Sequence, residues 1–314
     1  MGHGNKRRIM KRDTTQLNLK QALPLDVKIL LAKRRIQEWY DKNDGMVYIS
    51  FSGGKDSTVL LHLVREMYPE VPAVFFNTGL EYPEIFQFVK KQENVEFIKP
   101  KLTFKQVLEQ YGYPVVSKEQ AKYIREVQNG TTYYTRHKRL YGKLSKTGNR
   151  CGMISKRWQY LIRAPFKISE VCCDVMKKRP AHKYFRRTGR LPYIGTMAGD
   201  SSLRKQLWMK RGCNDFLSGN PQSNPLMVWT EENIWAYIRE FNVPYCEIYD
   251  IPSITRTGCL FCMFGCHLDK GKNRFQSLYE THPKLHKYCM EELGLKKILK
   301  TLRVNPYPNK PIKY

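Results

Sequence analysis

The chain has 314 residues, of which 41% are hydrophobic, enough for one large domain or two modest ones with a packed core. Lys and Arg number 55 against 28 Asp and Glu, a formal net charge of +27 that attracts polyanions through counterion release. No apolar stretch approaches the ~20 residues of a membrane helix, and residues 1–17 are basic and polar without the apolar core of a signal peptide. A cytoplasmic protein without a membrane partner is therefore expected.

The first two dozen residues read as a basic arm that ends at Pro24. Residues 26–41 carry Val27, Leu30, Leu31, Ile36 and Trp39 at helical spacing, which predicts an amphipathic helix. The run Val47-Tyr48-Ile49-Ser50-Phe51 then reads as a strand and leads into Ser52-Gly53-Gly54-Lys55-Asp56-Ser57. Beyond it Val59, Leu60, Leu63, Val64 and Met67 fall on one helical face. A strand, a glycine turn and a helix N-terminus offer unpaired N–H groups and a positive dipole end to a phosphate. Gly53 and Gly54 let the backbone approach the anion without a Cβ, Lys55 adds charge, and Ser52, Ser57 and Thr58 add hydroxyls. The spacing is not that of a Walker A loop.

A second strand, Val74-Phe75-Phe76-Asn77, ends in Thr78-Gly79-Leu80-Glu81-Tyr82-Pro83-Glu84 and a helix over 85–91, and residues 95–98 form a third strand. Alternation at this spacing predicts an α/β fold with a doubly wound parallel sheet. Ligands of such sheets sit at the carboxyl ends of the strands, so the loops at 52–57 and 77–84 are expected to face one crevice. A later strand, Pro192 to Gly195, leads into a turn with Asp200, Ser201 and Arg204. Residues 224–229 read as a short strand, followed by a helix capped by Thr230, with Glu231 and Glu232 favourable at its N-terminus. One nucleotide-binding domain over 25–250 is expected, followed by a cysteine-bearing region over 251–314.

Two further patterns carry chemistry. Residues 122–163 hold 11 basic residues and a single acid, Glu126. Tyr133, Tyr134, Tyr141, Trp158 and Tyr160 interleave there with Arg136, Lys138, Arg139, Lys143 and Lys146. Such a basic insertion suits phosphate contact with base stacking, and so a nucleic acid, tRNA or DNA. A solvated basic loop or a groove for one multi-anionic nucleotide is the alternative. Nine cysteines in a chain without a secretion signal argue for metal or redox chemistry rather than disulfides. Cys172 and Cys173 are adjacent, and Cys259, Cys262 and Cys266 form Cys-x-x-Cys-x-x-x-Cys. Thiolates in such groups hold iron–sulfur clusters or zinc, while inert buried thiols are the plainer alternative.

The Ser-Gly-Gly-x-Asp-Ser loop resembles that of the PP-loop ATP pyrophosphatases of the adenine nucleotide α-hydrolase-like fold. Asn-Thr-Gly-Leu-Glu-Tyr-Pro-Glu, Cys-Cys-x-x-x-Lys, Gly-x-x-x-Gly-Asp-Ser-Ser-x-Arg, Pro-Leu-x-x-Trp and Cys-x-x-Cys follow in order. Together they resemble the phosphoadenosine phosphosulfate reductase family over residues 46 to about 267. That resemblance implies an adenine-nucleotide site built from Ser52, Gly53, Gly54, Lys55, Asp56, Ser57, Thr58, Asn77, Thr78, Gly79, Glu81, Gly195, Asp200, Ser201 and Arg204. It also implies a [4Fe–4S] cluster on Cys172, Cys173, Cys259 and Cys262, with Cys266 as a substitute ligand or reactive thiol and Lys177 beside the cluster or nucleotide.

The family's reductases carry a catalytic cysteine in a Glu-Cys-Gly-x-His segment that this sequence lacks, and many have a degraded PP-loop, whereas here it is intact. The expected activity is ATP cleavage between the α and β phosphates. Lys55 would stabilise the departing pyrophosphate and Asp56 would hold Mg²⁺. The adenylated target would take sulfur through the cluster or Cys266, with a sulfur or electron donor protein as partner: a nucleic-acid modifying transferase. Sulfonucleotide reduction with release of sulfite, and a non-catalytic nucleotide-sensing regulator, are the alternatives.

Overall fold

The structure, a computed structural model, describes residues 12–145 and 148–308. The chain divides into two compact units. The first comprises residues 1–76, 83–98 and 183–250, and the second residues 77–82, 99–182 and 251–314. One division falls at 250/251, and residues 99–182, with the basic insertion, group with the cysteine-bearing C-terminal part.

The first unit is built on a six-stranded sheet. Its order is Val95–Ile98, Ala73–Phe76, Val47–Ser50, Leu191–Ile194, Gln222–Ser223 and Asn214–Asp215, parallel except for the last pair. The chain runs outward from Val47–Ser50 on one side and later returns to pair Leu191–Ile194 on the other. That reversal makes the α/β fold doubly wound and places a switch point at the carboxyl ends of these two central strands. Val47, Tyr48 and Ile49 are buried, as expected for a strand covered on both faces. Tyr48, Val74 and Tyr184 form a core cluster, the two tyrosine rings meeting edge-on at 4.8 Å.

Leu25–Lys42 is the predicted amphipathic helix, with a different inner face. Leu30 is 67% exposed, because the buried stripe runs through Ile29, Ala32, Ile36 and Trp39. Lys28 is buried beside that stripe, its ammonium donating to the Gln21 carbonyl at 2.5 Å and to Asn233 Oδ1 at 2.6 Å. Residues 224–229 form turns rather than the expected strand. Pairing is confined to Gln222–Ser223, and Pro225, with no N–H, cannot extend the ladder. In the expected N-terminal arm Thr14–Gln21 is helical, capped by Asp13, and Leu17 is buried. The rest of the arm lies outside the described residues.

The second unit is mainly helical. Its short ladders are the parallel pair Val115–Val116 with Met263–Phe264 and the hairpin of Lys143–Leu144 with Arg150–Cys151. The first ladder fixes the second half of the cysteine motif, and the Gly265 N–H donates to the Val116 carbonyl at 2.8 Å. No helix among the described residues is long and apolar enough to cross a membrane.

Candidate functional site

In the first unit the strand Val47–Ser50 passes through Ser52–Gly54 into the helix Lys55–Met67. Gly53 has φ +72°, and a Cβ there would lie 2.7 Å from Val89 Cγ2 and 2.9 Å from Ile85 Cγ2. Both the backbone conformation and the packing therefore require glycine. The loop braces itself: the Ser52 N–H donates to Ser57 Oγ at 3.2 Å, and Ser57 Oγ donates to the Gly54 carbonyl at 2.8 Å. Thr58 Oγ1 donates to the same carbonyl at 3.1 Å. Gly195, at the end of Leu191–Ile194, packs on the first helical turn, where its Cβ position lies 3.0 Å from the Asp56 carbonyl oxygen. Sheet topology thus brings Ser52–Thr58 and Gly195 to the switch point.

Lys55 is only 4% exposed. Its ammonium lies 3.1 Å from Glu231 Oε1, 3.9 Å from Asp56 Oδ1 and 5.3 Å from the centre of the Tyr249 ring. The Tyr249 hydroxyl accepts the Lys55 backbone N–H at 3.1 Å. Glu231 is thus the nearer carboxylate partner of the Lys55 ammonium. In the neighbouring turn Asp200 Oδ2 accepts the Met197 N–H at 3.0 Å and pairs with Arg204, while Ser201 caps the helix Ser202–Arg211. Arg204 is expected at a phosphate and here meets Asp200 instead. Asp56 offers a single carboxylate, which suits Mg²⁺, an ion that binds one or two carboxylates together with phosphate oxygens and water.

In the second unit, Asn77, Thr78, Gly79 and Glu81 form a self-contained loop. Glu81 accepts from Thr78 Oγ1 at 2.6 Å, the Thr78 N–H at 3.1 Å and the Leu80 N–H at 3.2 Å. Asn77 Oδ1 accepts the Gly79 N–H at 3.3 Å. The Leu80 carbonyl accepts the Leu260 N–H at 2.8 Å, tying this loop to the cysteine motif.

Cys172, Cys173, Cys259 and Cys262 line one small cavity together with Lys177. The Cys172 and Cys173 sulfurs are 3.9 Å apart. A hydrogen bond from Cys172 pulls the Cys173 thiol below its ordinary pKa, against its burial, and Lys118 and Lys177 act in the same direction. Burial pushes Cys262 up to about 11. The Cys259 thiol beside Lys177 holds that ammonium above its ordinary pKa. The pair opens the π-helical turn Asp174–Lys178, an irregularity often found at functional sites. No three His, Cys, Asp or Glu side chains among the described residues are grouped to hold a single metal ion. Four convergent thiols with lysines beside them nevertheless form a donor set that suits an iron–sulfur cluster, whose net negative charge the lysines would offset.

Cys266 is 2% exposed, burial pushes it up to about 12, and it does not line the four-thiol cavity. An ion pair that the sequence did not reveal holds its loop. Arg274 meets Asp269 through Nε at 3.0 Å and Nη2 at 2.9 Å, and its Nη1 reaches the Cys262 and Phe264 carbonyls at 3.3 and 3.1 Å.

The basic insertion separates into outward and inward groups. The helix Tyr133–Tyr141 has no buried residue, and Tyr133, His137 and Tyr141 follow one another along it with ring separations of 6.1 and 4.8 Å. Arg136 and Lys143 are exposed and Lys138 is half-buried. Arg139 turns inward to Glu126 at 2.5 Å and the Gly152 carbonyl at 2.8 Å, with its guanidinium over the Tyr123 ring. Trp158 is buried against His267, so its ring is not available for stacking. Lys146 lies outside the described residues.

The family model of the phosphoadenosine phosphosulfate reductase domain matches residues 46–151 and 137–264, more than half of the chain. The chain belongs to this family. Among curated members, an adenosine 5'-phosphosulfate reductase of Staphylococcus epidermidis is 23% identical over 241 residues, 72% of this chain and 74% of the relative. An uncharacterized protein of Methanocaldococcus jannaschii is 25% identical over 76% of this chain, which spans 46% of that protein's length. Among solved structures, a phosphoadenylyl-sulfate reductase from Candida auris aligns with a TM-score of 0.44 at 16% identity, covering 79% of this chain and 96% of that one. The U34-tRNA thiolase of Methanococcus maripaludis with its [4Fe–4S] cluster aligns with a TM-score of 0.37 at 16% identity, covering 89% and 82%.

Proposed function

We propose that this member of the phosphoadenosine phosphosulfate reductase family cleaves ATP between its α and β phosphates to activate a nucleic acid for sulfur transfer. The observation that carries the proposal is the complete PP-loop. A glycine-enforced turn feeds a helix N-terminus, and a buried lysine there is held by a carboxylate that a phosphate can replace. An oxygen of the acceptor displaces pyrophosphate from the α phosphorus. The N–H groups of Gly53 and Gly54 and the Lys55 ammonium stabilise the charge that gathers on the leaving group. Asp56 holds Mg²⁺ with phosphate oxygens, and Arg204 exchanges Asp200 for a phosphate as the site fills. The acceptor then carries AMP as its leaving group: sulfur from a sulfide-class donor bonds to the acceptor atom that bears the adenylated oxygen, and the bond to that oxygen breaks as AMP departs.

Cys172, Cys173, Cys259 and Cys262 would hold a [4Fe–4S] cluster, which when bound supplies an electron or sulfide relay beside the acceptor. Lys177 and Lys118 compensate the thiolate charge there. Cys266 is buried and does not line the four-thiol cavity, and in this scheme sulfur enters at that cavity. The test is anaerobic incubation of reconstituted protein with α-labelled ATP, Mg²⁺ and sulfide, with and without tRNA or DNA, resolving AMP from ADP. Release of AMP that requires Lys55 and rises with nucleic acid is expected. Absence of AMP under every condition overturns the proposal.

A second reading, sulfonucleotide reduction, is favoured by the curated relatives named as adenosine 5'-phosphosulfate reductases. It predicts sulfite release from adenylyl sulfate with a thiol donor. The missing Glu-Cys-Gly-x-His segment leaves that reaction without its usual nucleophile.

A further inference from the structure

A second cavity in the C-terminal unit, of about 620 Å³, adjoins the four-thiol cavity, and Leu80 and Phe104 line both. Its size falls within the range of small-molecule ligand sites. One end is formed by Asn77, Thr78 and Gly79, the loop that the family resemblance assigns to an adenine nucleotide, and beyond that loop two kinds of side chain meet. Lys99, Lys101 and Lys105 supply three positive charges along one wall. Only Lys105 has an acidic partner among the described residues, Glu292 at 3.8 Å. Phe104, Phe261 and Tyr288 supply the aromatic wall, with ring centres 6.5 Å apart for Phe104 and Phe261 and 6.0 Å for Phe261 and Tyr288. Phe104 and Phe261 are buried, whereas the Tyr288 ring is 42% exposed and can receive a planar group. Phe261 lies between Cys259 and Cys262, so the aromatic wall and the thiol motif share one backbone segment.

We propose that this cavity seats one unpaired nucleotide of a single-stranded nucleic acid, with its base on Tyr288 and its phosphates on Lys99 and Lys101. An aromatic face beside unpaired cations is the composition that takes single-stranded nucleic acid, by stacking and by release of counterions. A duplex cannot enter, since its bases are stacked and paired. The assignment rests on the proposed nucleic-acid modification in deepening it: a base seated here shares a wall with the thiols to which that scheme assigns sulfur delivery. The cavity is separate from the exposed Tyr133–Tyr141 helix, whose residues do not line it.

The experiment measures fluorescence anisotropy of labelled single-stranded RNA and DNA trinucleotides, the matching duplexes and free mononucleotides, on the full-length protein. Tyr288→Ala is expected to weaken trinucleotide binding roughly 10-fold. Lys99→Ala with Lys101→Ala is expected to lower the slope of log K against log salt by about 1.4, from ~0.7 per phosphate contact on a single strand. Tyr288→Phe, which keeps the ring, should bind as wild type, and this separates stacking from disturbance of the fold. Unchanged trinucleotide affinity in both Tyr288→Ala and the lysine double variant overturns the assignment, as does duplex binding that depends on Tyr288 to the same degree. Mononucleotides that bind as tightly as the trinucleotide and lose that affinity in Tyr288→Ala overturn the strand as source and leave a free nucleotide. AMP release from ATP is scored separately: if it persists while Tyr288→Ala binds normally, this site fails and the proposed activity stands. If binding depends on Tyr288 and no AMP forms, the site stands and that activity fails.

Discussion

Gly53→Ala offers a quantitative test of the PP-loop geometry, because a matched control lies in the same unit. Gly53 and Gly189 have nearly the same positive φ, +72° and +69°. Alanine in the left-handed region costs about 1–2 kcal/mol at either position. The entropy that alanine removes from the unfolded chain, about 0.4–1 kcal/mol, is common to both and cancels in the comparison. What differs is space. A methyl at Gly189 meets only Met46 Cε at 3.7 Å, an ordinary contact, whereas at Gly53 it lands 2.7 Å from Val89 and 2.9 Å from Ile85. Val89 and Ile85 are 0% and 1% exposed, so neither can swing into solvent. Forcing a methyl into such a wall costs about 1–3 kcal/mol. Gly53→Ala should therefore destabilise by roughly 1–4.5 kcal/mol once that entropy is subtracted, and by about 1–3 kcal/mol more than Gly189→Ala. Urea denaturation of the two variants and wild type, followed by circular dichroism, gives the difference directly. Equal destabilisation would show that the Val89–Ile85 wall yields and that close packing is not what demands glycine at this turn.

Replacing Lys55 by Ala should reduce AMP release by about 10²–10³-fold if the lysine stabilises the leaving pyrophosphate; a loss of less than about fivefold in single-turnover assays would remove it from that role. Glu231→Gln takes away the carboxylate that competes with phosphate for Lys55, and should tighten nucleotide binding by up to about fivefold by calorimetry, the scale of a partly exposed ion pair. Weaker binding would mean that Glu231 positions the lysine rather than competing for it. Cys259→Ser should lose most iron and visible absorbance after anaerobic reconstitution, and Cys266→Ser should keep both; the opposite pattern would move Cys266 into the ligand set. Arg274→Ala strips the Cys262 and Phe264 carbonyls of a charged donor and should cost roughly 1–3 kcal/mol in urea denaturation, with an unchanged midpoint counting against the clamp. His286 is buried, and burial holds its pKa below 6.5 although the Pro306 carbonyl lies 3.1 Å from Nε2. As pH falls below 6.5 the unfolded chain takes up that proton first, so the stability His286 contributes is complete above 6.5 and is lost toward its lower folded pKa. Between pH 7.5 and 5.5 the urea midpoint should fall less in His286→Asn than in wild type.

Features carried by local pattern were legible in the sequence, whereas features carried by long-range pairing were not. The PP-loop could be read because strand, glycine turn and amphipathic helix are contiguous, and each constrains the next over a few residues. The cysteine quartet was legible for a different reason. Adjacent cysteines and Cys-x-x-Cys are rare enough to be paired by resemblance, although their convergence depends on contacts between segments more than 80 residues apart, such as Leu260 with Leu80. The burial of Lys28 was not legible because helical periodicity assigns an inner face by hydropathy, and nothing local announces that Asn233, from a distant helix, will satisfy a buried ammonium. Arg139 and Trp158 were read as nucleic-acid contacts because composition does not distinguish a cation facing solvent from one facing Glu126, or a free indole from one packed on His267. Glu231 shows the same limit at the site itself. Its place at a helix N-terminus is explained fully by the dipole, and only the fold reveals that its carboxylate also reaches Lys55. Charge around the PP-loop is therefore balanced internally, and under the proposed function a phosphate displaces carboxylates from Lys55 and Arg204 as it enters. Affinity for nucleotide is then a difference between two ion-pair sets, and it should respond to Glu231 and Asp200 as directly as to the residues of the loop.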